Sequence, residues 1–333
     1  MWKKDTTLEN TTRYYWTNKK KVQIKKCNEK EWIDVYNNYG THYNSNDEEN
    51  IKFAFSDDLP NTINSTFIGE LVEETNKEKI PNGTYRYEIG GYGQLPHLEK
   101  FELRDDKIIE TSYYKQLEKD MLSFIKNEKI YNDHGIFFKR GYLLYGKPGD
   151  GKTCIIRKLM KNLFLDNALI IYCNNVPETS LINILNKEEK DRIKIFIFED
   201  FQNIVNDRGI EKVLNFLDGE DSIHKMIIIG TTNYPEELPG NIVDRPSRFD
   251  YLIEFKNPSA KEIKDLYKNF SGEDLLDENV NKLTSFSIAA IKEICLTTII
   301  NKITIDDAIK TLQDRSQKIS KSFAKEDLKE FIL

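Results

Sequence analysis

Gly141-Tyr-Leu-Leu-Tyr-Gly-Lys-Pro-Gly-Asp-Gly-Lys-Thr153 decides how this chain folds. An apolar, aromatic run enters the stretch, and a helical spacing of Ile155, Ile156, Leu159 and Met160 leaves it. Between them lies G-x-x-x-x-G-K-T, with Gly146, Gly151, Lys152 and Thr153 at the fixed positions. Strand, glycine loop and helix in that order make a phosphate-binding loop, and a chance glycine-rich turn would lack those flanks. Glycine lets the backbone turn tightly enough for successive N–H groups to surround phosphate oxygens. The helix N-terminus adds its dipole and its orphan donors. Lys152 is placed to reach the β and γ phosphates of a nucleotide, and the Thr153 hydroxyl to ligate Mg²⁺. The predicted cradle is Gly146, Lys147, Pro148, Gly149, Asp150, Gly151, Lys152 and Thr153, with Cys154 just inside the helix.

Around this loop, apolar runs alternate with helical patterns. The predicted strands are 142–145, 168–173, 193–198, 225–230 and 251–255, nearly continuous in apolar residues, as a parallel sheet covered on both faces requires. The third ends in Glu199-Asp200. Ligands bind at the carboxyl ends of parallel strands. There a phosphate-loop enzyme needs one acid to hold Mg²⁺ and another to orient or deprotonate water. The fourth runs into Thr231-Thr-Asn233. A strand between the loop strand and the acid strand would bring the Asn233 amide near a γ-phosphate. A plain asparagine turn, Asn233-Tyr-Pro235, is satisfied by the same residues. Asp244-Arg-Pro-Ser-Arg-Phe-Asp250 then offers Arg245 and Arg248. Exposed arginines usually pair with nearby acids to little effect. A guanidinium reaching a neighbouring subunit's phosphate is worth far more.

In this order the pieces resemble the AAA+ ATPases, over roughly residues 111–320. Within them the chain is most similar to the mitochondrial Rieske-protein translocase group, the respiratory complex III assembly ATPases. The finer likeness rests on the entry 135–146, on the Glu-Asp order at 199–200, and on Val213-Leu-Asn-Phe-Leu-Asp-Gly219. The resemblance implies ATP and Mg²⁺ as cofactors. It assigns Lys152 to phosphate, Thr153 and Glu199 to the metal, and Asp200 to the metal's edge and to water activation. It makes Asn233 a sensor and Arg245 and Arg248 fingers acting on a neighbour, and it lays Asp133, His134, Gly135 and Ile136 against the adenine. It also implies a homo-oligomeric ring, hexameric or heptameric. Two loop residues depart from the pattern: Lys147 replaces a proline, and Asp150 replaces a small or hydroxyl residue, putting a negative charge beside the phosphates.

The expected fold is α/β: a five-stranded parallel core sheet in 111–256, a helical lid in 257–333, and a mostly β N-terminal domain in 1–110. Strand signals there include 13–16, 22–24, 51–55, 66–68 and 84–89, rich in aromatic and β-branched residues. In the lid, Ser259-x-x-Glu262 is a capping box, and Ser287 and Thr304 are caps for two further helices. The linker Asn174-Asn-Val-Pro-Glu-Thr179 has neither the aromatic nor the glycine of a threading pore loop.

A chain of 333 residues with 39% hydrophobic and 31% charged content is an ordinary globular composition. The net charge of −6 argues against nucleic acid as a partner. The four cysteines form no C-x-x-C pair, the pattern of a reducing compartment. No apolar run approaches the roughly 20 residues of a membrane span, so the translocases' transmembrane helix has no counterpart and the cytoplasm is the expected location. The expected activity is that of a chaperone-like ATPase remodelling a protein partner through its N-terminal domain. A nucleic-acid-directed loader and a nucleotide-gated ring with little hydrolysis are the alternatives.

Overall fold

The computed structural model describes residues 2–6, 12–16, 21–26, 33–36, 67–72, 80–89, 96–104, 111–163, 167–218, 223–245 and 247–315. Its strands are β1 (Trp2–Thr6), β2 (Thr12–Trp16), β3 (Lys21–Lys26), β4 (Ile33–Tyr36), β5 (Phe67–Val72), β6 (Gly83–Glu88), β7 (His97–Phe101), β8 (Lys139–Gly146), β9 (Ala168–Cys173), β10 (Ile193–Phe198), β11 (Met226–Thr232) and β12 (Tyr251–Phe255). Its helices are α1 (Ser112–Lys126), α2 (Glu128–Asp133), α3 (Lys152–Asn162), α4 (Thr179–Glu188), α5 (Phe201–Arg208), α6 (Ile210–Asp218), α7 (Gly240–Val243), α8 (Ala260–Ser271), α9 (Asp277–Leu283) and α10 (Ile288–Asn301). A further helical stretch covers 305–315. The strand expected at 51–55 lies outside the described residues.

The five parallel strands are present, in the order β9-β10-β11-β8-β12. The count of five is corrected, however, because the sheet continues. β6 pairs in parallel with β9, from Gly83↔Leu169 to Tyr87↔Cys173. β7 then pairs antiparallel with β6, and β2 and β1 follow. Segment 1–110 therefore lends strands to the core sheet as well as forming the small sheet β4-β3-β5. The tyrosines of β6 explain this: Tyr85 and Tyr87 are fully buried, joining one core layer with Leu169, Ile171, Phe196 and Phe198.

The opposite layer packs α1 and α3 on the sheet through Leu117, Met121, Ile155, Ile156 and Leu159 against Leu144, Ile195 and Ile229. Asp120 of α1 accepts hydrogen bonds from Tyr142 (2.5 Å) and Tyr251 (2.8 Å), whose rings stack. The lid has its own core of Ile263, Leu266, Val280, Leu283, Ile291 and Ile294. Its capping box forms as the spacing predicts, with Ser259 and Glu262 bonded reciprocally.

Candidate functional site

Because β8, β10 and β11 are parallel, their carboxyl ends lie along one edge of the sheet. β8 delivers Gly146 there, β10 delivers Glu199 and Asp200, and β11 delivers Asn233. The loop turns into α3 at Gly151, whose φ of 89° is a conformation that a side chain would strain. Thr153 then stands in the first turn of α3. Lys152 is buried, and its Nζ donates to the carbonyls of Gly146 (2.7 Å) and Lys147 (2.9 Å). Burial lowers its pKa, while Asp150 and Asp200 raise it. Lys147, Pro148 and Gly149 are exposed, and Cys154 is half-buried.

Asp150 stands apart from the rest of the loop. It is 1% exposed, and neither carboxylate oxygen has a hydrogen-bond partner. Burial raises its pKa, against the smaller opposing pull of Lys152 and Lys147.

Asp200 is held in the left-handed region at φ 48°, a strained setting for a non-glycine residue and common at functional sites. Its N–H donates to Thr231 Oγ1 (3.2 Å), and Asn233 Nδ2 donates to its Oδ1 (3.2 Å). The Asn233 amide and the Asp200 carboxylate are thus bonded to each other, Asp200 exposed and Asn233 half-buried. Glu199 is half-buried, with Oε1 unpartnered. Thr153, Glu199 and Asp200 supply the oxygen donors that a hard cation takes beside phosphates, so Mg²⁺ fits this edge.

The arginine segment lies elsewhere. Gly141 N donates to Asp250 Oδ2 (2.8 Å), and Asp250 N donates to the Gly141 carbonyl (2.9 Å). A Cβ on Gly141 would collide with the Arg248 carbonyl oxygen, so only glycine allows this approach. From Gly141 to Gly146 the strand rises about 17 Å. Both arginines therefore sit toward the sheet edge away from their own loop. Their side chains part company: Arg245 is exposed, while Arg248 is 4% exposed and bonded to the Asp218 carboxylate and the Asn241 carbonyl. The expectation that both act as fingers narrows to Arg245, because Arg248 is engaged within its own subunit.

The adenine assignment is corrected for a similar reason. His134, Gly135 and Ile136 precede the start of β8, so the whole strand, about 23 Å long, separates them from the loop. The His134 ring bonds the Ile130 carbonyl (2.8 Å), and Glu128 pairs with Lys225 just ahead of β11, at that far edge. The residues that do border the loop were not singled out from sequence. Ala289 N donates to the Gly149 carbonyl (2.9 Å), and the Ile288 side chain lies against Gly151. Tyr113, at the start of α1, stacks on Phe255, which pairs with Gly146. Ser287 was legible as a helix cap, but not its meeting with the loop.

Residues 142–257 match the family described as "ATPase family associated with various cellular activities (AAA)". These residues are an AAA ATPase domain. The chain is 28% identical over 209 residues to the probable mitochondrial chaperone bcs1 of Schizosaccharomyces pombe, covering 57% of this chain and 46% of that protein. It is 30% identical over 229 residues to the probable mitochondrial chaperone BCS1-A of Dictyostelium discoideum, covering 62% and 54%. The proteasome-associated ATPase of Mycolicibacterium smegmatis is 25% identical over 268 residues, covering 70% and 40%. The chain thus spans about half the length of these relatives. The two BCS1 matches bear out the likeness to the complex III assembly group. Among the described residues, no helix is long and apolar enough to cross a membrane.

Proposed function

We propose that this protein binds and hydrolyses ATP as a ring-forming AAA ATPase and uses the cycle to remodel or assemble a protein partner. The observation that carries the reading is the division of labour between the two sheet edges. Loop, acids and amide gather at one edge, and Arg245 stands exposed toward the other, out of reach of its own loop. The site is completed only when a second subunit presents Arg245 to the first.

Lys152 and the loop N–H groups hold the phosphates, and Thr153 and Glu199 hold the cation. Bound Mg²⁺ neutralises charge developing on the phosphate oxygens. Asp200 takes a proton from the attacking water, and Asn233 holds the Asp200 carboxylate in place while sensing the γ-phosphate. The base lies where the loop, the start of α1 and the lid's Ser287–Ala289 converge. The N-terminal strands carry the partner; two of the relatives are named as chaperones. A reducing compartment such as the cytoplasm belongs to the same reading.

The test is steady-state ATP hydrolysis as a function of protein concentration, with Asp200→Asn and Arg245→Ala variants. Turnover per subunit should rise with assembly. Each variant should bind ATP yet lose at least about 100-fold in rate, since a finger is worth about 10³–10⁵. Mixing the two variants should restore part of the activity, because some interfaces then carry both intact groups. Full activity in a strictly monomeric protein, or in Arg245→Ala, would refute the ring reading.

A further inference from the structure

Two buried polar atoms beside the acid pair have no hydrogen-bond partner: the Tyr172 hydroxyl and Glu199 Oε1. Such orphans are rare enough in folded proteins to call for an explanation. Tyr172 is paired with Ile197 across the parallel strands β9 and β10. Residues two apart on a strand share a face. Tyr172, Ile197 and the Glu199 that follows therefore point to the same side, the side covered by α3. Glu199 stands about 7 Å past Ile197, within reach of a phenol leaning along the strand.

Their electrostatics agree with this placement. Burial raises the pKa of the Tyr172 hydroxyl, the Glu199 charge raises it further, and the Arg157 guanidinium opposes them. Arg157 lies one turn along α3 from Thr153, on the same helix face. The phenol is thus set between the metal-side carboxylate and the helix that bears the metal-side hydroxyl. Its ring is steadied by an edge contact with Phe101 of β7, centroids 5.4 Å apart.

We propose that Tyr172 is a positioning residue for Glu199: its hydroxyl, unbonded in this structure, donates to the carboxylate once a cation is held beside Thr153 and turns it toward that cation. The inference rests on the Mg²⁺-nucleotide reading of the site. One carboxylate oxygen accepts from the phenol, which leaves the other for the cation and its water. Sequence gave no hint of this, since Tyr172 reads as one more apolar strand residue.

The experiment is binding of a fluorescent ATP analogue to the full chain, in EDTA and across a Mg²⁺ titration. Tyr172→Phe should leave affinity in EDTA unchanged and raise the Mg²⁺ concentration for half-maximal tightening about 10-fold, as loss of an outer-shell partner does. In a Glu199→Gln background, Tyr172→Phe should have no further effect. An unchanged Mg²⁺ requirement in Tyr172→Phe overturns the proposal. So does an equal loss of affinity in EDTA, which would mark the ring as packing alone, or wild-type binding indifferent to Mg²⁺. Failure of the underlying site reading looks different: Lys152→Ala would then bind the analogue in EDTA as well as the wild type does.

Discussion

Replacing Asp150 by serine removes a carboxylate that is 1% exposed and has both oxygens unbonded. Lys152 does not relieve it, because the ammonium donates to the Gly146 and Lys147 carbonyls instead. A buried polar group without a partner costs about 1–3 kcal/mol. Serine is shorter and neutral, so most of that cost disappears. Taking about 2 kcal/mol and about 3 °C per kcal/mol for a domain of this size, the thermal midpoint should rise by about 6 °C. The sign with pH follows from linkage. Burial raises the folded-state pKa of Asp150 above its ordinary 3.8, so the native state holds a proton that the unfolded chain releases. Stability is then lost as pH rises through that window. The gain from Asp150→Ser should accordingly grow between pH 4.5 and pH 8, in thermal scans without nucleotide. A lower midpoint at pH 8, or the same gain at both ends, would refute the reasoning.

Arg248→Ala should destabilise the folded subunit itself. It strips Asp218 of its guanidinium and leaves Lys139, at 3.7 Å, and the Ser247 hydroxyl, at 3.5 Å, to face that carboxylate. Asp218 is itself exposed, so the cost is that of the buried guanidinium's charge-assisted hydrogen bonds, about 2 kcal/mol, visible as a thermal midpoint several degrees lower by circular dichroism. An unchanged midpoint would return Arg248 to the list of candidate fingers. Lys302 caps α10 at φ 54°, in the left-handed region. Lys302→Gly should raise stability by about 1 kcal/mol in urea unfolding, and a lower midpoint would show that the lysine makes a compensating contact.

What could be read from sequence was local. β8, the loop and α3 are specified by one contiguous motif, and β10 and β11 by apolar runs too dense to be anything but buried strands. The chemistry even required β11 to lie between them, and it does. What failed depended on distance in space. Thr84–Glu88 alternates like a surface hairpin strand, and nothing local says that its partner is β9. His134–Ile136 is near the loop in sequence, but a fully extended strand carries it to the other edge. Arg245 and Arg248 belong to one short motif, yet only the packing of Gly141 against the Arg248 backbone decides which side chain is buried.

The pairing of β6 with β9 limits how the molecule can be divided. A chain begun at residue 111 would leave β9 with a row of bare N–H and C=O groups along a flat edge of Leu169, Ile171 and Cys173. Exposed edges of that kind pair with other chains. The AAA domain is therefore not a separable module with a passenger in front of it. The smallest piece able to stay dispersed in water begins no later than Ile80, so any attempt to isolate the nucleotide-binding sheet must take β6 and β7 along.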